Sequence, residues 1–142
     1  MMKELQIRKA GPDDVPAIHE LVRELARYEK AEEEFVTSLE TYRQDFADGI
    51  FEVILAETDQ TIVGMALYYM TYSTWKGRMM YLEDFVIKEK WRRKGIGEKL
   101  FDAFMEEAWH RNCSLIKWQV IDWNEPALRF YKKKQAIIEK NW

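Results

Sequence analysis

The chain has 142 residues, 47% of them hydrophobic and 33% charged, with 22 Lys and Arg against 25 Asp and Glu for a net charge of −3. Length and composition fit one globular domain over residues 1–142, and the slightly acidic balance argues against a general nucleic-acid binder, which is usually basic. A lone cysteine, Cys113, excludes an intrachain disulfide, and two histidines without a cysteine cluster leave no structural zinc site, so no metal is expected. The stretch from Met1 to Arg8 has no apolar signal-peptide core, and no run of about 18 apolar residues occurs. The expectation is a soluble, cytoplasmic domain without a membrane partner.

Leu5 and Ile7 alternate with polar residues as in a short strand, and Pro12-Asp13-Asp14 offers a helix start. Val15, Ile18, Leu21, Val22, Leu25 and Ala26 follow at spacings of three and four, which is one apolar helix face. Thr37 or Ser38 caps a second helix through Leu39, Tyr42 and Phe46 that Asp48-Gly49 ends. Phe51 to Ala56 reads as a strand, Asp59-Gln60 as a hairpin turn, and Ile62 to Tyr72 and Met79 to Ile87 as two more strands broken by Trp75 to Arg78. Gly95 to Arg111 is an amphipathic helix with Ile96, Leu100, Phe104 and Ala108 on one face. A strand from Ser114 to Val120, a helix from a cap at Asn124 to about Lys134, and a last strand from Ala136 complete the order. Three strands joined in sequence, then strands alternating with helices, give a mixed α/β arrangement in layers: antiparallel first, then a helix crossover. His19 and His110 fall on helix surfaces, and Cys113 at a helix-to-strand junction; none is given a role.

The segment richest in chemistry runs from Tyr81-Leu82-Glu83-Asp84-Phe85-Val86-Ile87 to Arg92-Arg93-Lys94-Gly95-Ile96-Gly97. A strand leads through a loop into a helix, and Arg92-x-x-Gly95-x-Gly97 puts glycines where backbone can approach a ligand. The first amides of a helix have no acceptor within it and carry the positive end of its dipole, so they suit a pyrophosphate. Lys88, Lys90, Arg92, Arg93, Lys94 and Lys99 add positive charge. Taken alone, the same segment reads equally as a glycine-bearing loop with solvated lysines. A Walker loop is excluded because Glu98 follows Gly97, and a dinucleotide fingerprint because the third glycine is missing.

This loop resembles the acetyl-coenzyme A loop of the GNAT superfamily of N-acetyltransferases, and the order of elements is similar to that fold. Thr71 to Trp75, Tyr81 to Phe85, Arg92 to Gly97, Trp123-Asn124-Glu125-Pro126, Phe130-Tyr131-Lys132 and Glu24 to Glu29 further resemble the spermidine/spermine (diamine) N-acetyltransferases. The resemblance implies the GNAT acyl-CoA N-acyltransferase fold: an α/β (α+β) domain with a central mixed twisted sheet, flanking helices and splayed central strands. It also implies acetyl-coenzyme A as co-substrate, a small-molecule amine as acceptor and a homodimer.

Residue by residue, the resemblance implies that the amides of Phe85, Val86 and Ile87 hold the pantetheine arm, with one near Phe85 polarising the thioester carbonyl. Arg92, Arg93, Lys94, Gly95, Ile96, Gly97 and Glu98 would form the pyrophosphate loop, and Asn124, Glu125, Pro126 and Ala127 further coenzyme contacts. Tyr131 matches the general acid that protonates the leaving thiolate. Glu83 matches the residue that helps remove the amine proton. A lysine-like amine with a pKa of about 10.4 loses that proton at pH 7 at a cost of roughly 4–5 kcal/mol. Tyr28, Glu29 and Trp75 match acceptor-side positions. The run Glu29, Glu32, Glu33 and Glu34, with Asp84 elsewhere, would suit a polycationic amine, though Glu32 to Glu34 read more simply as a solvated helix end. Glu83 reads otherwise as a partner for Arg78, and Trp75 as a turn cover or dimer contact.

Three departures from the diamine enzymes stand out. Ser73 replaces an acidic residue before the tryptophan, which favours a shorter diamine, a thialysine-like amino acid or another small amine over spermidine and spermine. Gln135 stands where a glycine usually ends the last helix, and relatives usually continue past the position of Trp142 through a further strand, so a shortened chain or pairing with a partner is expected. The leading expectation is transfer of acetyl from acetyl-coenzyme A to a small primary amine by direct attack. The alternatives are acetylation of a protein or peptide, and a non-catalytic acyl-coenzyme A-binding module.

Overall fold

The computed structural model describes residues 4–119 and 137–139. Within these residues six strands form one sheet in the order β1 (Leu5–Lys9), β2 (Glu52–Thr58), β3 (Thr61–Ser73), β4 (Gly77–Ile87), β5 (Leu115–Gln119) and β6 (Ile137–Glu139). The first four pair antiparallel, and β4–β5 and β5–β6 pair parallel. The last strand is thus paired, against Lys117–Gln119 of β5. Among the described residues the α-helices are α1 (Val15–Tyr28), α2 (Leu39–Ala47) and α3 (Ile96–His110). The helix expected from Asn124 to Lys134 lies outside the described residues, as do Val120 and Gln135.

Local chemistry explains the boundaries. A 3-10 turn at Pro12–Asp14 feeds α1, and the Asp14 carboxylate accepts from the Gly11 amide at 2.8 Å. Ser38 caps α2, its Oγ accepting from the Thr41 amide at 3.1 Å. Asp59 and Gln60 both have positive φ, +53° and +62°, the geometry of a type I′ hairpin turn, whose twist matches the flanking strands.

Each face of the sheet carries its own core. Leu100, Phe101 and Phe104 of α3 pack against Tyr68, Met80, Leu82 and Trp118, all fully buried. Ile18 and Leu21 of α1 pack on the other face against Val53, Leu55, Met65 and Leu67. His19 corrects the expectation of a surface position. It is buried, its Nε2 lies 2.9 Å from the Thr37 carbonyl oxygen, and its ring meets Phe35 and Tyr42 at 4.8 Å each. The imidazole pins the α1–α2 connection onto α1. Cys113 sits half-buried between α3 and β5, and burial pushes its thiol pKa up, which suits a packing residue rather than a nucleophile.

Gly64 lets α3 approach β3. A Cβ there would lie 2.9 Å from the Val86 carbonyl oxygen, 2.8 Å from Ile87 Cδ1 and 3.2 Å from Leu100 Cδ1. The backbone contact cannot give way cheaply, so Gly64→Ala is expected to destabilise the fold by about 1–3 kcal/mol in urea unfolding. An unchanged unfolding midpoint would show that α3 does not need this close approach.

Candidate active site

The β3–β4 ladder shifts register once. Leu67 faces Asp84 but Tyr68 faces Leu82, so Glu83 is an extra residue in β4, a β-bulge. A bulge reverses which face the following side chains take. Met80 and Leu82 pack toward α3 before it, and Phe85 and Ile87 do so after it, while Val86 joins the α1 core. Asp84 is thereby turned to the α1–α2 face beside Leu67, where it and Glu83 line one open cavity of about 430 Å3. That volume falls in the range of small-molecule sites. Val22, Leu25 and Ala26 from the apolar face of α1 line the same space.

Glu83 is held by Tyr69, whose hydroxyl donates to Oε1 at 2.8 Å, and Tyr69 stacks on Tyr81 at 5.4 Å. Arg78 donates instead to the Arg111 carbonyl oxygen, so it is not the partner of Glu83. Burial, and then that hydrogen bond to a carboxylate, push the Tyr69 phenol pKa upward. Burial, with the charges of Glu83 and Glu29 adding to it, raises the Asp84 pKa to about 7. Burial likewise raises Glu29, at the end of α1 and on the rim of the same cavity.

The coenzyme-side expectations fall on the far end of β4. The parallel ladder with β5 runs from Met79↔Leu115 to Leu82↔Trp118, while β4 continues to Ile87. The Lys88 amide bonds to Val63 O at 2.9 Å, and Glu89–Trp91 forms a 3-10 turn before α3. Arg93 and Gly95 have φ of +64° and +83°. A Cβ at Gly95 would meet nothing within 4 Å, whereas one at Gly97 would lie in ordinary contact, 3.8 Å from the Phe85 ring. Gly95 therefore serves backbone conformation and leaves open space before α3. The Lys99 amide closes the first turn on Gly95 O at 3.3 Å. Arg93, Lys94 and Lys99 stand exposed around it. A glycine kept open, a helix N-terminus and these cations together fit a pyrophosphate. Arg92 is committed elsewhere. Its Nε donates to Ile87 O at 2.9 Å, and its guanidinium lies 5.6 Å from the centre of the exposed Tyr28 ring.

Sequence-selected residues thus divide. Glu83, Asp84 and Glu29 share the cavity. Phe85 and Ile87 pack under α3, Val86 is buried against α1, and the loop Arg92 to Glu98 follows β4. Tyr28 touches the loop through Arg92. Trp75 is 93% exposed at the β3–β4 turn. That turn is roughly 24 Å along β4 from Asp84 at about 3.4 Å per residue, and Trp75 does not line the cavity. Ser73 caps the same turn, its Oγ accepting from the Lys76 amide at 3.0 Å. Tyr131 and Asn124 to Ala127 lie outside the described residues. Sequence reasoning missed Tyr69, which holds Glu83, and Tyr42 and Asp45 of α2, which line the same cavity. The spacing of three between Tyr42 and Asp45 was the available signal that both share one face of α2.

Residues 15–136 match the family model of the acetyltransferase (GNAT) family. A thialysine N-epsilon-acetyltransferase of Bos taurus is 39% identical over 141 residues, covering 92% of this chain and 83% of that protein. A spermidine/spermine N(1)-acetyltransferase-like protein 1 of Homo sapiens is 30% identical, covering 99% of this chain and 22% of that protein. Among solved structures, an aminoglycoside acetyltransferase from a soil metagenomic sample superposes with a TM-score of 0.82 at 22% identity, covering 97% of this chain and 91% of that one. The chain belongs to the acetyltransferase (GNAT) family. It is an acetyl-coenzyme A-dependent N-acetyltransferase. Among the described residues no helix is long and apolar enough to cross a membrane.

Asp84 generates a prediction about stability. Its folded pKa of about 7 lies above its ordinary value of 3.8, so the native state binds this proton more tightly than the unfolded chain. The contribution is present below about pH 4 and is lost as pH rises through about 7. Asp84→Asn is therefore expected to raise Tm more at pH 8 than at pH 4, and an equal shift at both would contradict a buried, repelled carboxylate.

Proposed function

We propose that the enzyme acetylates a primary amine of a small molecule, a diamine or polyamine or a thialysine-like amino acid, by direct attack of the neutral amine on the thioester. The observation that carries this reading is the pair Glu83 and Asp84, turned by one bulge into a cavity on the strand that leads to the phosphate-loop motif. Acetyl-coenzyme A supplies the activated acetyl group. The protein's own residues do the rest. Main-chain amides of Arg93 to Glu98 hold the pyrophosphate, and Asn124, Glu125, Pro126 and Ala127 add coenzyme contacts. Strand amides of Phe85, Val86 and Ile87 orient the pantetheine arm, one of them donating to the thioester oxygen as charge develops there.

The acceptor enters as an ammonium, attracted by Glu29, Glu83 and Asp84. Glu83, fixed by Tyr69, receives the amine proton, directly or through water. The amine nitrogen then bonds to the carbonyl carbon as the carbon–sulfur bond breaks, the Tyr131 phenol gives its proton to the departing thiolate, and the second proton released by the acylated nitrogen restores the phenol. No acyl-enzyme is required. The same reading gives a cytoplasmic homodimer; the location rests on the sequence pattern and the dimer on the family resemblance, and sedimentation of the purified protein measures the second.

Thiol release from acetyl-coenzyme A with a panel of small amines, free amino acids and short peptides tests the reading. Turnover with peptides alone would overturn it. Tyr131→Phe is expected to lower turnover at least about tenfold with coenzyme binding nearly intact. Near-normal turnover would remove Tyr131 as the acid. Gly95→Glu fills the open loop with bulk and negative charge, and is expected to abolish coenzyme binding in calorimetry. Unchanged binding would place the pyrophosphate elsewhere.

A further inference from the structure

We propose that Asp45 on α2 and Glu34 in the turn before it form a subsite for a second ammonium group of the acceptor, so that the enzyme selects a diamine or polyamine over an amino acid. The inference rests on the small-amine reading above and decides within it.

Five carboxylates line the cavity, from separate elements: Glu29 at the end of α1, Glu34 in the 3-10 turn Glu32–Glu34, Asp45 on α2, and Glu83 and Asp84 on β4. Among the described residues, no Lys, Arg or His lines it. The neighbouring Glu32 is occupied by Arg27 at 3.0 Å and points its charge elsewhere. Within the same described set, no ion pair engages Glu34 or Asp45. Nor do three or more acidic, histidine or cysteine side chains converge as ligands of one metal ion. The negative charge is therefore spread along the walls, which suits an extended cation carrying several charges better than a single ion. Leu25, Phe35, Tyr42 and Phe51 supply apolar surface between the charged positions, a bed for a methylene chain.

Asp84 gives an independent indication. It sits on the sheet side of this space, and no donor among the described residues reaches its carboxylate, although burial already makes its charge costly. A cationic nitrogen would relieve it. An amino acid such as thialysine brings a carboxylate as well as its amines. Among the described residues that line this cavity, that carboxylate would meet only like charge, a repulsion that works as selection. Ser73 takes no part in this choice, because it caps the distant β3–β4 turn.

The test uses three acceptors with one four-carbon chain, 1,4-diaminobutane, n-butylamine and 4-aminobutanoate, followed by thiol release from acetyl-coenzyme A. The expected order of kcat/KM is diamine, monoamine, amino acid, with the first at least about a hundredfold above the last. Asp45→Asn, and separately Glu34→Gln, are expected to lower the diamine-to-monoamine ratio about tenfold, mainly through KM. Glu40→Gln, an equal change of charge on the exposed side of α2, should leave the ratio as it was. Comparable turnover of all three acceptors, or an unchanged ratio in both cavity variants, would overturn the subsite while leaving the small-amine reading standing. No turnover with any amine, with coenzyme binding intact, would overturn that reading and the subsite with it.

Discussion

An extra residue in one strand decides which side of the sheet a carboxylate faces. In a regular β4, Asp84 would continue the series of Met80 and Leu82 and lie under α3, in a core of Phe101, Phe104 and Trp118. A charge there would have no water and no partner. The bulge at Glu83 turns Asp84 to the opposite face and leaves Phe85 and Ile87 to fill the apolar side. Two consecutive carboxylates then share one cavity, which strict alternation along a strand forbids. The cost shows in the raised pKa of Asp84, pushed up first by burial and then by the neighbouring charge of Glu83.

The same strand leads to the proposed coenzyme side. Past the bulge β4 outruns its ladder with β5, and the chain turns at Lys88 into the loop before α3. Gly64 allows the first turns of that helix to lie close to β3 and β4. Phe85, from inside the bulged segment, supports the helix near Gly97 and Phe101. The residues that shape the proposed acceptor cavity and those that seat the proposed phosphate loop are thus joined through one short length of β4. Arg92 adds a second tie, linking the strand end at Ile87 to Tyr28 beside the cavity rim.

Much of this was legible in the sequence, for physical reasons that can be named. The face of α3 could be read because Ile96, Leu100, Phe104 and Ala108 repeat at the helical period, and all four are buried. The cap at Ser38 and the turn at Asp59-Gln60 are local chemistry and appeared where expected. The bulge was hidden, because Glu83-Asp84 in an apolar strand looks like an ordinary solvent-side interruption. His19 was misplaced because its burial depends on Phe35 and Tyr42, which reach it only after the chain folds back through Thr37. Asp45 carries no motif at all. Its spacing from Tyr42 puts both on one face of α2, but its part in the cavity comes from the way α2 packs beside α1, a tertiary fact which that spacing does not encode. Motif resemblance located Glu29, Glu83 and Asp84, and also Trp75, which stands at the other end of the hairpin from them.

The central claim is that coenzyme binding is organised by the segment between the bulge and the first turn of α3. Backbone amide resonances followed by NMR during titration with coenzyme A test it most directly. The largest shifts are expected at Phe85 to Ile87 and Arg93 to Glu98, with Ser73 to Gly77 at the distant turn nearly unmoved. Largest shifts at that turn, or along β1 and β2, with the Arg93 to Glu98 amides silent, would contradict it.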